Sequence, residues 1–106
     1  MKELHKDNYD DEVLGSSGIF LVDFWSESCE ECQDIMPEVE KLSEEFSSRA
    51  AFGKVNIKGN RRLAIREKVM GLPAILIYKD GEQSASFSKE FEMSEVKAKL
   101  EELLGS

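Results

Sequence analysis

The chain is poor in the residues that usually tie a small protein together: two cysteines, two prolines, one histidine and one tryptophan in 106 residues. A zinc site needs four ligands, and beyond the two cysteines only His5, far away in sequence, could supply another nitrogen or sulfur. Bases are also short. Fourteen Lys and Arg face 22 Asp and Glu, a net charge of −8, which argues against nucleic acid and against an anionic membrane surface as partners. No segment approaches the ~20 apolar residues of a membrane span. Residues 1 to 18, beginning Met-Lys-Glu-Leu-His-Lys-Asp, hold no apolar stretch of signal-peptide length, so the expected compartment is the cytoplasm. There is no linker, repeat or low-complexity segment. With 41% hydrophobic and 34% charged residues, the expectation is one domain over residues 1–106, burying roughly two thirds of its unfolded surface in one core.

What is present centres on Cys29-Glu30-Glu31-Cys32, four residues after Trp25 and shortly after the apolar run Ile19-Phe20-Leu21-Val22. A reducing cytoplasm disfavours a permanent bridge, so cysteines this close read as catalytic or metal-binding. The two glutamates between them make a poor core sequence, which disfavours two inert buried cysteines. Two intervening residues at a helix start bring the sulfurs within bonding reach. The unpaired N–H groups and dipole there favour a thiolate on the first cysteine.

The rest of the pattern alternates strand and helix. A short strand is expected around Glu3 to His5, then a helix from Asn8 to Leu14 capped by Asp7 and ended by Gly15. Ile19 to Phe24, apolar except for Asp23, predicts a central strand covered on both faces. A helix from Cys29 to Ser47 presents Ile35, Val39, Leu42 and Phe46, with Pro37 expected to kink it. A strand from Ala51 to Ile57 and a basic helix from Asn60 to Lys68 carrying Leu63 and Ile65 follow. A strand from Pro73 to Tyr78, a turn at Asp80-Gly81, a partner strand to Phe87 and a helix from Ser94 to Leu104 complete an α/β fold, with a mixed sheet between layers of helices.

Asp23 interrupts its strand, and a carboxylate buried without a partner resists ionisation, which makes it a candidate proton acceptor or one half of a structural ion pair. Trp25 is a candidate shield for the site or a plain core aromatic. Pro73 can open a strand because a first residue need not donate to the ladder.

Val22-Asp23-Phe24-Trp25, Cys29-Glu30-Glu31-Cys32, Pro37, Lys54-Val55-Asn56-Ile57, Gly71-Leu72-Pro73 and Tyr78-Lys79-Asp80-Gly81-Glu82 occur in register with one family. Over nearly its whole length the chain resembles thioredoxins. The resemblance implies the thioredoxin fold, with Cys29 as nucleophile and Cys32 resolving the mixed disulfide. It also implies that Asp23, with Lys54 as its charge partner, assists deprotonation of Cys32. Leu72-Pro73 would be a cis bond that sets the Leu72 backbone opposite Cys29 to pair with substrate, beside the shielding Trp25. No cofactor or metal is implied. The expected partners are a flavin-dependent thioredoxin reductase, NADPH- or ferredoxin-linked, and disulfide-containing proteins, served by a monomer. Asn60 to Ile65 with Val69 to Pro73 looks like the thioredoxins found with glycine reductase systems in anaerobic, amino-acid-fermenting bacteria.

Three positions depart from the family pattern. Glu30-Glu31 replaces Gly-Pro, Ser28 replaces a tryptophan, and Lys89 stands where a glycine keeps the substrate groove open. The glutamates oppose a thiolate at Cys29, which favours a more reducing couple, although acids in a first turn also suit the helix dipole. Lys54 to Lys68 carries six bases against Glu67, giving +5 and leaving −13 elsewhere; it is either a solvated helix face or a steering patch for an acidic redox partner. The expected function is a protein disulfide reductase and two-electron carrier. The alternatives are a thiol oxidase or isomerase and a redox-inert binding module on the same fold.

Overall fold

The computed structural model describes residues 1–105. Five strands form one sheet in the order β1-β3-β2-β4-β5, with β1 at Lys2–Leu4, β2 at Ile19–Trp25, β3 at Ala50–Asn56, β4 at Ala74–Lys79 and β5 at Glu82–Ser88. β1, β3 and β2 run parallel, while β4 and β5 continue the sheet antiparallel. The helices are α1 at Glu30–Glu45, α2 at Arg61–Arg66 and α3 at Met93–Gly105, with a π-helical turn at Asp10–Leu14.

β2 is paired on both edges and covered on both faces, which is why its residues 19–24 are all buried and why its sequence runs apolar without alternation. Successive side chains still point to opposite faces. Phe20, Val22 and Phe24 join Leu63 and Ala64 of α2, Val13 of the π-helical turn and Tyr9, which immediately precedes that turn. Ile19 and Leu21 join Val39 and Leu42 of α1, Phe46, and Val96 and Leu100 of α3. Asp23 is in phase with Ile19 and Leu21, so it faces the α1 and α3 layer. The four-, three- and four-residue spacing from Ile35 to Phe46 turns one face of α1 onto the sheet, with Pro37 on its exposed side.

The β4–β5 turn has Asp80 at φ 52° and Gly81 at φ 82°, the left-handed pair that a two-residue hairpin requires. Asp80 also ties this turn to the start of β2, accepting from the Gly18 N–H at 2.7 Å and donating its own N–H to the Gly18 carbonyl at 2.9 Å.

Element boundaries shift by a residue or two from the sequence expectation, and two features differ in kind. The first helix is a widened turn in which the Gly15 N–H reaches the Asp10 carbonyl at 2.9 Å, with no side-chain cap. Asp7 therefore does not cap it. Asn8 instead folds back, its Oδ1 accepting the His5 N–H at 2.8 Å, the local competition with helix capping that short polar side chains offer. In α2, Leu63 and Ala64 are buried but Ile65 is 70% exposed, because residues two apart on a helix lie about 200° apart around its axis and turn to opposite sides.

Candidate active site

The dithiol segment is built by the end of β2. After Trp25 the chain turns through Ser26, whose carbonyl accepts the Cys29 N–H at 3.1 Å and whose hydroxyl accepts the Ser28 N–H at 3.2 Å. The turn leaves Cys29 extended, at φ −91° and ψ 104°, in the N-cap position of α1. Its sulfur accepts the Cys32 N–H at 3.2 Å, the bond that a capping serine oxygen would make. Cys29 is half-buried and Cys32 fully buried. The two are joined as a disulfide with their Cα atoms 5.2 Å apart. An N–H aimed at a sulfur at a helix start is the arrangement that stabilises a thiolate once the bridge is reduced.

Asp23 is completely buried, and among the described residues neither carboxylate oxygen has a hydrogen-bond partner. Burial pushes its carboxyl up to about 7, against a smaller downward pull from the Lys54 ammonium. Lys54 is the register partner of Asp23 across β2 and β3; it exerts that pull through space. Trp25 is half-buried, and its buried indole N–H has no acceptor among the described residues. Trp25 and Lys54 line one cavity of about 350 Å³ together with His5, Glu27 and Asn60.

The Leu72–Pro73 bond is cis. Leu72 and Gly71 line a second, open groove of about 350 Å³ with Ser26, Ile57, Arg61 and Met70. Ser26 thus joins the groove to the turn that holds Cys29. The structure therefore gathers Asp23 with Lys54, Lys54 with Trp25, and Leu72 with the Cys29 turn. Met70, 81% exposed on the groove wall, was not singled out from sequence. Its signal was an unpaired apolar residue between buried Val69 and the Gly71 turn. Among the described residues no group of three or more His, Cys, Asp or Glu is placed to hold a metal ion, and no helix is long and apolar enough to cross a membrane.

A second polar chain lies on the opposite face of the sheet. The buried Tyr9 and Tyr78 hydroxyls are 2.7 Å apart, and the Tyr78 hydroxyl donates to the Glu67 carboxylate. Tyr78 has one proton to give, so Tyr9 must be the donor to Tyr78. Arg66 closes the chain, 2.9 Å from Glu67 and 2.6 Å from Asp10. Burial pushes both phenols upward, and the contacts with Asp10 and Glu67 raise the Arg66 guanidinium. No sequence periodicity announced this chain.

A bridged cysteine pair capping a helix at the end of a central strand defines a thiol–disulfide oxidoreductase. A family model described as Thioredoxin matches residues 1–102. Similar proteins include the thioredoxin of Acetoanaerobium sticklandii, 47% identical over 90 residues (85% of this chain and 86% of that protein). The thioredoxin of Peptoclostridium acidaminophilum is 41% identical over 88 residues, covering 83% and 80%. Among solved structures, a mutant thioredoxin from Halobacterium salinarum superposes with a TM-score of 0.86 at 27% identity, covering 97% of this chain and 89% of that one. The chain belongs to the thioredoxin family, and the Cys29–Cys32 pair is its redox centre.

Proposed function

We propose that the protein is a cytoplasmic carrier that takes two electrons from a flavin-dependent thioredoxin reductase and passes them to protein disulfides, working as a single-domain monomer. The observation that carries the assignment of roles is the asymmetry of the pair. Cys29 is accessible and its sulfur receives the Cys32 N–H, whereas Cys32 is fully buried. In the dithiol form the Cys29 thiolate attacks one sulfur of the substrate disulfide, forming a mixed disulfide and releasing the other substrate sulfur as a thiolate that takes up a proton. Cys32 then loses its proton and attacks Cys29. The second substrate thiolate leaves, and the protein holds the oxidised bridge; two electrons and two protons have moved to the substrate.

Asp23 is the acceptor for the Cys32 proton. Its carboxyl faces the α1 layer and titrates near neutrality, where an acid–base group can both take and return a proton. Lys54 sets how readily that carboxyl ionises. Trp25 shields the dithiol turn from water, and the backbone of Leu72-Pro73 docks an extended substrate segment beside Cys29. The electron donor is an NADPH- or ferredoxin-linked flavoenzyme. The Asn60 to Ile65 segment supports a place beside glycine reductase systems, as does the likeness to thioredoxins from the two anaerobes named above.

The test is trapping. Replacing Cys32 with Ser leaves attack intact and abolishes resolution, so mixed disulfides through Cys29 should accumulate with a disulfide substrate such as insulin and be seen by mass spectrometry. A Cys29→Ser variant should trap far less. Equal trapping through position 32 would show the assignment of roles to be wrong, and a wild-type protein unable to reduce insulin would leave a redox-inert docking module.

A further inference from the structure

Lys89 follows β5 in a left-handed conformation, at φ 65°, which a side chain other than glycine holds only at a cost of order 1 kcal/mol. Its backbone N–H donates to the Pro73 carbonyl at 2.9 Å, fixing it against the segment that forms the groove. Its side chain then runs back across Gly71. A Cβ built on Gly71 would overlap Lys89 Cε and lie 3.0 Å from Cγ and 3.1 Å from Cδ. The stem of Lys89 therefore covers the backbone of Gly71, itself one of the residues that line the groove. Arg61, at the start of α2, lines the same groove. Both residues are exposed, and among the described residues neither side chain has a hydrogen bond or ion pair.

The charges beside Cys29 are of the other sign: Glu27, Glu30 and Glu31, all exposed. On a chain of net charge −8 an acidic peptide is repelled from most of the surface. Two unneutralised cations, Arg61 on the groove wall and Lys89 against Gly71, oppose that field locally, which favours and orients an acidic segment.

We propose that Lys89 and Arg61 are specificity-determining residues that select disulfide segments carrying a carboxylate where the chain passes Gly71. The proposal rests on Leu72-Pro73 being the docking segment. It assigns Lys89 more than the filling of a glycine position: its stem shapes the groove floor and its ammonium reads the substrate.

The experiment uses three disulfide-linked peptide dimers, identical except for Glu, Gln or Lys two residues to either side of the cysteine. Each is reduced by the dithiol form of the full chain at low ionic strength. Rates are normalised to those of a small neutral dithiol, which removes the intrinsic effect of the peptide charge on its own sulfur. The wild type should reduce the Glu dimer about fivefold to tenfold faster than the Lys dimer, the span of a few exposed charge contacts. That ratio should fall below about twofold in a Lys89→Gln/Arg61→Gln double variant and in high salt. Lys89→Arg with Arg61→Lys should restore it. Equal rates for all three dimers in the wild type, or a ratio that survives in the Gln double variant, overturn the charge selection alone. A wild type that leaves even the Gln dimer unreduced overturns the docking segment, and the selection with it.

Discussion

Replacing Asp23 with Asn should stabilise the oxidised protein strongly in alkali and hardly at all in acid. The carboxyl is fully buried with no hydrogen-bond partner among the described residues, and burial raises its pKa from 3.8 to about 7. Between those values the unfolded chain has released its proton while the folded chain still holds it. The unfolded state therefore binds fewer protons, and stability falls as pH rises through the window. About three pKa units at 1.36 kcal/mol each give a full cost of about 4 kcal/mol, reached above pH ~7 and absent below pH ~4. That is a large share of the ~5–15 kcal/mol that holds a domain together. Asn keeps the shape and cannot ionise. Urea unfolding of the disulfide form at pH 4.5, 6, 7 and 8.5, with unchanged slope, should show the gap between variant and wild type opening by most of that amount. A gap constant across the series, or a variant less stable than wild type at pH 8.5, would show that the carboxylate is solvated in the folded state and would remove the basis for Asp23 as the proton acceptor.

Double replacement of Glu30 and Glu31 by Gln should lower the Cys29 thiol pKa by up to about one unit, since each exposed carboxylate beside a helix start is worth ~0.3 to 1 kcal/mol. Thiolate absorbance against pH measures it, and an unchanged or higher pKa would mean that the helix dipole or turn geometry dominates. Tyr78→Phe should cost about 1 to 3 kcal/mol because it strands the buried Tyr9 hydroxyl. Adding Tyr9→Phe should recover part of that loss in urea melts, and strict additivity of the two would mean that the hydroxyls do not interact.

The legible parts of the molecule were those that local chemistry dictates. β2 was readable because a strand covered on both faces has no polar phase, so Asp23 stood out in it at once. Asp80-Gly81 was readable because few dipeptides accept two left-handed residues in succession. The cysteine pair was readable from its spacing and from the strand that delivers it. The position of Lys89 was noted as a departure, but the run of its stem over Gly71 depends on a backbone hydrogen bond to Pro73 from the far end of β5. Tyr9 and Tyr78 lie 69 residues apart, and nothing in either neighbourhood indicates that their hydroxyls meet. The first helix was misjudged in its capping because Asn8, not Asp7, held the local bonds. Leu63 and Ile65 stood out alike on the basic helix as apolar residues, and only their two-residue spacing, which turns them to opposite sides, separates the buried one from the exposed one.

That the Cys29 sulfur both caps α1 and changes oxidation state closes a thermodynamic cycle between folding and electron transfer. The unfolded chain, whose thiols feel no helix, is the common reference for both redox forms. Any difference in how well the sulfur caps as a thiolate and as a bridged atom must then appear twice: as a difference in unfolding free energy between the two forms, and as an equal displacement of the reduction potential from that of the unfolded chain. A capping difference of ~1 kcal/mol, the usual size of such a bond, corresponds to ~20 mV for a two-electron couple. A substitution anywhere in the first turn of α1 therefore alters the driving force for reduction to the extent that it favours one capped form over the other, so melting curves of the two redox forms would serve as an independent measure of its potential.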